Sequence, residues 1–249
     1  MKNHIRLLLV VTKIFISSLL VGATLLGCSN KQRKKVESSI IIDVTGSNTH
    51  NLHDIMPSNV IKTIEVDKYN VFENNYRQTL ITESFLSKKR EFNLKARPLW
   101  LISNEYDREA QVNIYKQQIT ESLLDIKKDS LNWGRASSNV FIPIAMELNR
   151  LANSDATRKT IIIFSDLLEN SDWFTLVKKK NVNQLLKKPK KIEKLFMSEY
   201  KLVDNLQGIK VYLVYRPYIE TETVYRKLSA LYKKMLERRG ATVFIVANL

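Results

Sequence analysis

Short apolar runs alternate with longer amphipathic stretches along most of this sequence of 249 residues. The apolar runs are rich in β-branched side chains, which is typical of strands that are buried on both faces of a parallel sheet. The stretches between them carry apolar residues at helical spacing. This alternation predicts an α/β fold with a doubly wound, mostly parallel sheet, helices on both faces and right-handed crossovers.

The same pattern places the individual elements. Apolar runs predict buried strands at 39–42, 160–166, 209–215 and 241–247. The segments 70–85 and 91–96 have strand propensity. They predict an antiparallel hairpin at one edge of the sheet, with its turn at 87–90. Pro189 is expected to interrupt a helix, and Gly240 is expected to end one. Helices are predicted at 58–64, 104–126, 140–152, 173–200 and 220–239.

Some side chains of these helices are assigned a role by the pattern. Ser58 follows Pro57 and is a candidate N-cap for the first helix. The apolar residues of the helix at 104–126 are expected to face the core; they are Ala110, Ile114, Ile119, Leu123, Leu124 and Ile126. The inward-facing residues predicted for the last helix are Val224, Leu228, Leu231, Met235 and Leu236.

The first residues of the chain have the pattern of a targeting segment rather than of a folded element. Basic residues (Lys2, Arg6 and Lys13) precede an apolar stretch at 14–26, which is too short for a comfortable membrane span. The stretch ends in Leu25-Leu26-Gly27-Cys28, and this sequence resembles the lipobox of bacterial lipoproteins. The resemblance implies a signal peptide at 1–27 and a lipidated Cys28. An uncleaved signal anchor is the alternative.

The lipobox also implies how the rest of the chain is organised and where it is located. Residues 28–37 are predicted to be the lipidated cysteine and a basic tether, and residues 38–249 the folded domain. Ser29, rather than Asp, follows the cysteine, which in enterobacterial lipoproteins implies the outer membrane, and here a domain facing the periplasm. Cys28 is the only cysteine, so no internal disulfide can form.

The chain has ordinary globular composition, with 44% hydrophobic and 26% charged residues, but a net charge of +15. Eight lysines are concentrated in one segment, and they are either a solvated face or a surface that docks on anionic lipid head groups. Nucleic acid is not an expected partner, because no aromatic platform or groove-reading motif accompanies the lysines. The eight are Lys178, Lys179, Lys180, Lys187, Lys188, Lys190, Lys191 and Lys194.

Two predicted strands end on an acid. The run at 39–42 is followed by Asp43, Thr45 and Ser47 at alternate positions, and the run at 160–166 ends on Asp166. These side chains offer only oxygen atoms, which are the ligands of hard cations such as Mg²⁺. Ligands of open α/β sheets lie beyond the carboxyl ends of the strands. The acids Glu169 and Asp172 are expected to enlarge a negative rim there.

The segment Asp43-Val44-Thr45-Gly46-Ser47 resembles the metal-ion-dependent adhesion site of von Willebrand factor A (VWA) domains. Two further motifs of that family have imperfect counterparts: Ser138 (or Ser137) stands where the family has Thr, and Leu167 after Asp166 where it has Gly. The resemblance covers 38–249. It implies one Mg²⁺ or Mn²⁺, coordinated by Thr45, Ser47 and Ser138 directly and by Asp43 and Asp166 directly or through water.

By the same resemblance, the ion recruits an acidic side chain from a partner protein, so the expected function is metal-dependent protein–protein interaction in the cell envelope and not catalysis. Three alternatives stay open. The chain could be a metal-dependent phosphoryl-transfer enzyme of the phosphatase type, although the second acid such enzymes need is replaced by Thr45. It could be a VWA scaffold with a degenerate site, in which Asp43 and Ser138 serve an ordinary turn and a helix N-cap. His50 and His53 could bind a metal but are expected to be solvated.

Overall fold

The computed structural model describes residues 35–45, 52, 54–66, 72–82, 89–96, 105–129 and 137–249. The strands are β1 (Lys35–Asp43), β2 (Glu73–Ile81), β3 (Lys89–Leu94), β4 (Arg158–Phe164), β5 (Ile209–Val214) and β6 (Thr242–Val246). They form one sheet in the order β3-β2-β1-β4-β5-β6. β3 is antiparallel to β2 at one edge, and every other neighbouring pair is parallel.

Helices cover both faces of this sheet, so the predicted doubly wound α/β fold with one antiparallel edge strand is confirmed. The helices are α1 (Pro57–Thr63), α2 (Glu105–Asp129), α3 (Phe141–Ala152), α4 (Lys179–Lys187), α5 (Pro189–Glu199) and α6 (Ile219–Glu237). Ile40 and Ile42 of β1 pack with α1 and α2, whereas Ile41 packs with the other four helices. One run of isoleucines serves both cores because successive side chains of a strand point to opposite faces.

β1 begins at Lys35, which is three residues before the predicted start of the domain at residue 38. Val36 is buried in this first part of the strand. Glu37 is also buried, and it forms ion pairs with Lys35, at 3.1 Å, and with Arg150 of α3. Because these pairs compensate the charges, residues that have the composition of a tether can enter the sheet. The predicted tether therefore loses its last three residues to β1.

One prediction about helix side chains is wrong, and another is only half right. Ser58 does not cap α1: the N-cap is Met56, with no side-chain hydrogen bond, and Pro57 is the first helical residue. Proline suits that position because it has no N–H group to satisfy. In α2, Ala110, Ile114 and Leu124 are exposed, the last two by 57% and 40%. Ile119, Leu123 and Ile126 are buried as predicted, and Val112 and Tyr115 complete the buried face of α2.

The segment predicted as one helix at 173–200 forms two shorter helices. Residues 173–178 are turns and irregular backbone, and α4 begins only at Lys179. Pro189 interrupts the helical run as predicted, but it also starts α5, where it occupies the first turn. All eight lysines of the segment are exposed, while Leu185, Ile192 and Phe196 are buried against the sheet and α6.

Charge reversal on this lysine-rich segment is expected to leave the stability of the domain almost unchanged. Replacing Lys179, Lys187, Lys190 and Lys194 by Glu alters only exposed side chains, so the thermal midpoint should shift by no more than about 4 °C. If the segment docks on lipid, the same variant should sediment less with vesicles that contain phosphatidylglycerol. A large loss of thermal stability would show that the lysines are structural.

The last strand is the opposite edge of the sheet and not the buried strand that the sequence predicts. β6 pairs with β5, and of its residues only Val243 is buried. An apolar run cannot distinguish an edge strand from an inner one, because both are rich in β-branched and aromatic residues.

Several predictions fall outside the described residues: the signal peptide, Cys28, Ser47, His50 and His53. Within the residues that the structure does describe, no helix is both long and apolar enough to cross a membrane.

Candidate metal centre

Asp43 and Asp166 follow the carboxyl ends of two neighbouring strands. Asp43 is the last residue of β1, and Asp166 lies two residues after the end of β4. The two strands are parallel neighbours, with Ile42 opposite Phe164, so their predicted adjacency is confirmed. The strand order also reverses between β1 and β4, since β2 lies on one side and β5 on the other. Such a switch point is where open α/β sheets bind ligands.

Hydrogen bonds from two hydroxyl groups hold the buried Asp43 carboxylate. The backbone N–H and the hydroxyl of Thr45 donate to Asp43 Oδ1 at 3.1 and 2.6 Å. The hydroxyl of Ser165 donates to Asp43 Oδ2 at 2.8 Å. A hydroxyl that donates its proton still has lone pairs to offer. Thr45 is therefore oriented by Asp43 and can still act as an oxygen ligand.

The electrostatic state of Asp43 depends on its burial and on the second acid. Burial and the negative charge of Asp166 raise the pKa of the Asp43 carboxyl to about 7, while the hydrogen bonds from Thr45 and Ser165 act in the opposite direction. Both carboxyls are almost completely buried. A cation near two such groups would favour their ionised forms and relieve their repulsion.

The backbone after Asp166 has a conformation that favours glycine, although the residue there is leucine. Leu167 has a φ of 63°, in the left-handed region that favours glycine. Its N–H donates to the Ser165 hydroxyl, and the Leu168 N–H donates to Asp166 Oδ1, both at 2.9 Å. The Leu167 side chain is fully buried. The turn therefore has this conformation although the residue is leucine, and the leucine side chain packs in the core.

Ser138 lies beside the turn after Asp166, because its backbone pairs with the segment that follows this turn. Its backbone N–H and carbonyl pair with those of Asn170, both at 2.9 Å. Its hydroxyl donates to the Leu168 carbonyl at 3.1 Å. Ser138 is not the N-cap of α3, which is Val140 and has no capping side chain of its own. The alternative interpretation of Ser138 as an ordinary N-cap is therefore wrong.

Glu169 binds the N-terminus of α3 instead. Its Oε2 accepts hydrogen bonds from the N–H groups of Val140 and Phe141 at 3.0 and 2.8 Å. Burial raises the pKa of Glu169 to about 7, although the two N–H groups favour the ionised form. The nearby Ser171 hydroxyl donates to the Phe174 carbonyl at 3.1 Å. The prediction that Glu169 belongs to an exposed acidic rim is wrong, whereas Asp172 is exposed.

Buried polar atoms without a hydrogen-bond partner occur in the segments around this edge. Among the described residues they include Asn139 Oδ1, Glu169 Oε1, Trp173 Nε1 and Tyr225 Oη. Such atoms are uncommon in folded proteins, where an ion or an ordered water often satisfies them. Two of them are close to the site: Asn139 follows Ser138 directly, and the pKa of Tyr225 is raised mainly by burial but also by the charge of Asp166, which is near enough to act on it.

Four of the five predicted metal ligands lie in described segments, and Ser47 does not. Asp43 and Thr45 are in contact, Asp166 is close enough to affect the pKa of Asp43, and Ser138 is bonded to the turn after Asp166. No group of three or more His, Cys, Asp or Glu side chains suited to a metal ion occurs in the described part of the chain. A centre here would therefore consist of two acids and several hydroxyls.

Ser165 is the residue of this site that the sequence pattern does not predict. Its hydroxyl joins the ends of β1 and β4, because it donates to Asp43 and accepts from Leu167. The one signal available in the sequence is its position immediately before Asp166.

Comparisons with known proteins do not define a family for this chain. No family model and no curated protein matches it. Among solved structures, the crystal structure of the human COPII-coat protein Sec24c is similar, with a TM-score of 0.40 and 11% sequence identity. The match covers 88% of this chain and 30% of that chain. Likeness of this degree carries no conclusion about function.

Proposed function

We propose that residues 35–249 form a VWA-like module that binds Mg²⁺ or Mn²⁺ and mediates metal-dependent protein–protein interaction in a bacterial cell envelope. The observation that supports this most directly is the pair of buried acids, Asp43 and Asp166, at the carboxyl ends of β1 and β4. The strand order and the antiparallel edge strand agree with the fold that the VWA resemblance implies.

The residues present fit a hard divalent cation. Thr45 and Ser138 donate their hydroxyl protons to protein oxygens and keep lone pairs for a cation, and Asp43 and Asp166 bring negative charge. With Ser47 they would hold the ion through oxygen atoms alone, a set that favours Mg²⁺ or Mn²⁺ over Zn²⁺. The bound ion would supply a coordination position for a carboxylate oxygen of the partner.

The surroundings of Asp43 support binding rather than phosphoryl transfer. A phosphatase of the haloacid-dehalogenase type needs a second acid two residues after its nucleophilic Asp. Thr45 occupies that position, and its hydroxyl is bonded to Asp43 itself. Asp43 also accepts a hydrogen bond from Ser165 on the second oxygen, so neither oxygen is presented as an unengaged nucleophile.

Cys28→Ser is expected to abolish lipidation and to leave the precursor uncleaved. Only a cysteine thiol can carry the lipid, and the sequence contains no other cysteine. The measurement is incorporation of an alkyne fatty-acid probe, together with the apparent mass on a gel. Normal cleavage and labelling of the variant would remove the lipoprotein proposal.

The function itself is tested by affinity capture from a detergent-solubilised cell envelope, with the full chain as bait. One arm contains Mg²⁺ and the other a chelator, and Asp43→Ala is the control bait. We expect partner proteins that are retained by the wild type in Mg²⁺ and lost in the other two conditions. Identical retention with chelator would contradict the proposal. Asp43-dependent phosphate release from a generic phosphate ester would favour the phosphatase alternative.

A further inference from the structure

β6 presents an open edge of the sheet. It pairs with β5 on one side, and no strand of the described segments pairs with its other side. The chain beyond β6 does not cover that edge, because the Leu249 carbonyl accepts a hydrogen bond from Asn59 of α1 at 2.7 Å. Natural sheets protect such edges unless they use them to bind another strand.

Val243 and Ile245 direct their backbone groups away from β5. The Val246 carbonyl accepts from the Tyr215 N–H at 3.2 Å, so the backbone of Val246 faces β5. Backbone groups of alternate residues point to opposite sides of a strand, which directs those of Val243 and Ile245 to the open edge. The Val243 carbonyl is bonded there to Lys233 Nζ at 2.9 Å. No residue of the described segments is bonded to the outward backbone groups of Ile245, so both of them can pair with another chain.

The two faces beside this edge differ in chemistry. On the α6 face, a groove of about 490 Å³ is lined by Ala230, Lys233, Lys234, Glu237, Arg238 and Ile245. On the opposite face, the Phe244 ring stacks on Tyr212, with ring centroids 4.8 Å apart. Phe244 and Ile245 are 39% and 40% exposed. A strand added here would place alternate side chains in the groove and beside Phe244.

The charges of the groove select among possible occupants. Glu237 pairs with Lys233 at 3.2 Å and Arg238 pairs with Glu193, whereas Lys234 makes no ion pair in the described part of the chain. The lining therefore has an excess of positive charge over its one acid. A second copy paired edge to edge would bring two such basic grooves together, which costs energy.

We infer that β6 is a docking edge for an extended acidic segment of a partner protein, which adds to the sheet as a further strand. Its main chain pairs with Ile245, its acidic side chains face Lys234 in the groove, and its apolar side chains at alternate positions lie beside Phe244. This is recognition by strand addition, in which main-chain hydrogen bonds give affinity and side-chain pockets give specificity. It does not depend on the proposed metal centre.

The test uses a fluorescein-labelled peptide of alternating glutamate and valine, with fluorescence anisotropy on the full chain in a chelator. Ile245→Pro removes the outward N–H group but leaves the pairing with β5, since proline is tolerated on edge strands. We expect it to weaken peptide binding at least about tenfold while shifting the thermal midpoint by only a few degrees. Lys234→Glu should weaken binding similarly, and Lys128→Glu on the exposed face of α2 is the matched control.

Three kinds of result would overturn the inference. The first concerns the wild type: either it does not bind the peptide, or it binds a peptide that alternates lysine and valine equally well. Another is unchanged binding by both Ile245→Pro and Lys234→Glu; the second variant decides the matter if the proline variant does not fold. The third is sedimentation that shows a dimer of the wild type which Ile245→Pro dissociates, because a second copy would then occupy the edge.

Discussion

Asp43→Ala is expected to weaken Mg²⁺ binding by at least about 100-fold, or roughly 3 kcal/mol. Asp43 supplies one of the two carboxylates that face the proposed cation, and it orients the Thr45 hydroxyl through a 2.6 Å hydrogen bond. The variant therefore loses a negative charge and the fixed position of a second ligand. The fold should persist, because the apolar residues of β1 that fill both cores are unchanged.

The measurement is calorimetric titration of the full chain with Mg²⁺ and with Mn²⁺. Asp172→Ala is the matched control, because it removes an exposed acid from the segment that follows Asp166 and should change the affinity by less than about threefold. Equal binding by wild type and Asp43→Ala would remove Asp43 from the centre. If the wild type binds neither metal, even with an acidic peptide present, the domain is a VWA-like scaffold without its ion.

The raised pKa of Asp43 gives the same titration a pH dependence. A cation binds the ionised carboxylate, and with a pKa of about 7 only about one molecule in ten is ionised at pH 6. Apparent Mg²⁺ affinity should therefore be about tenfold lower at pH 6 than well above pH 7, with release of a proton on binding. Titrations in buffers of different ionisation enthalpy measure that proton. A pH-independent affinity would contradict the participation of Asp43.

The two central strands of the sheet, β1 and β4, can be predicted because each contains a run of consecutive β-branched apolar residues. Ile40, Ile41 and Ile42 are completely buried, as are Ile161 to Ile163 in β4, and only a strand covered on both faces accommodates such runs. The adjacency of Asp43 and Asp166 then follows from the strand order that the VWA resemblance implies. The neighbouring positions of the two acids can therefore be predicted from the sequence, whereas metal binding by them is our proposal.

The errors concern features that depend on tertiary contacts. In α2, Ile114 is exposed and Tyr115 is buried, and apolarity alone cannot choose between neighbouring helix positions when both are apolar or aromatic. The left-handed φ of Leu167 cannot be predicted from a leucine, because the turn imposes it. Glu169 resembles a residue of a solvated rim in the sequence, since its partners, Val140 and Phe141, are distant along the chain.

Glu169→Ala is expected to destabilise the domain by about 3 kcal/mol. The carboxylate satisfies two N–H groups at the start of α3, and both Val140 and Phe141 are buried, so water cannot replace it. The variant also leaves a cavity at a fully buried position. Urea unfolding of the full chain measures the loss. Glu222→Ala, which removes an exposed acid from the first turn of α6, should cost only about 0.5 kcal/mol.

Glu169→Gln separates the charge of this residue from its hydrogen bonds. The folded-state pKa of Glu169, about 7, lies above the ordinary value of 4.5, so folding favours the protonated form. Its contribution to stability is therefore fully present below about pH 4.5 and is lost as the pH rises through about 7, by an amount on the order of 3 kcal/mol. The amide of Gln can still accept hydrogen bonds from α3 but does not titrate.

The free energy of unfolding should consequently fall less steeply between pH 5 and 8 in Glu169→Gln than in the wild type. Any slope that remains in the variant is due to other groups, such as Asp43. Parallel pH profiles for the two proteins would show that Glu169 is already ionised in the folded domain, and that its bonds to Val140 and Phe141 outweigh the effect of burial.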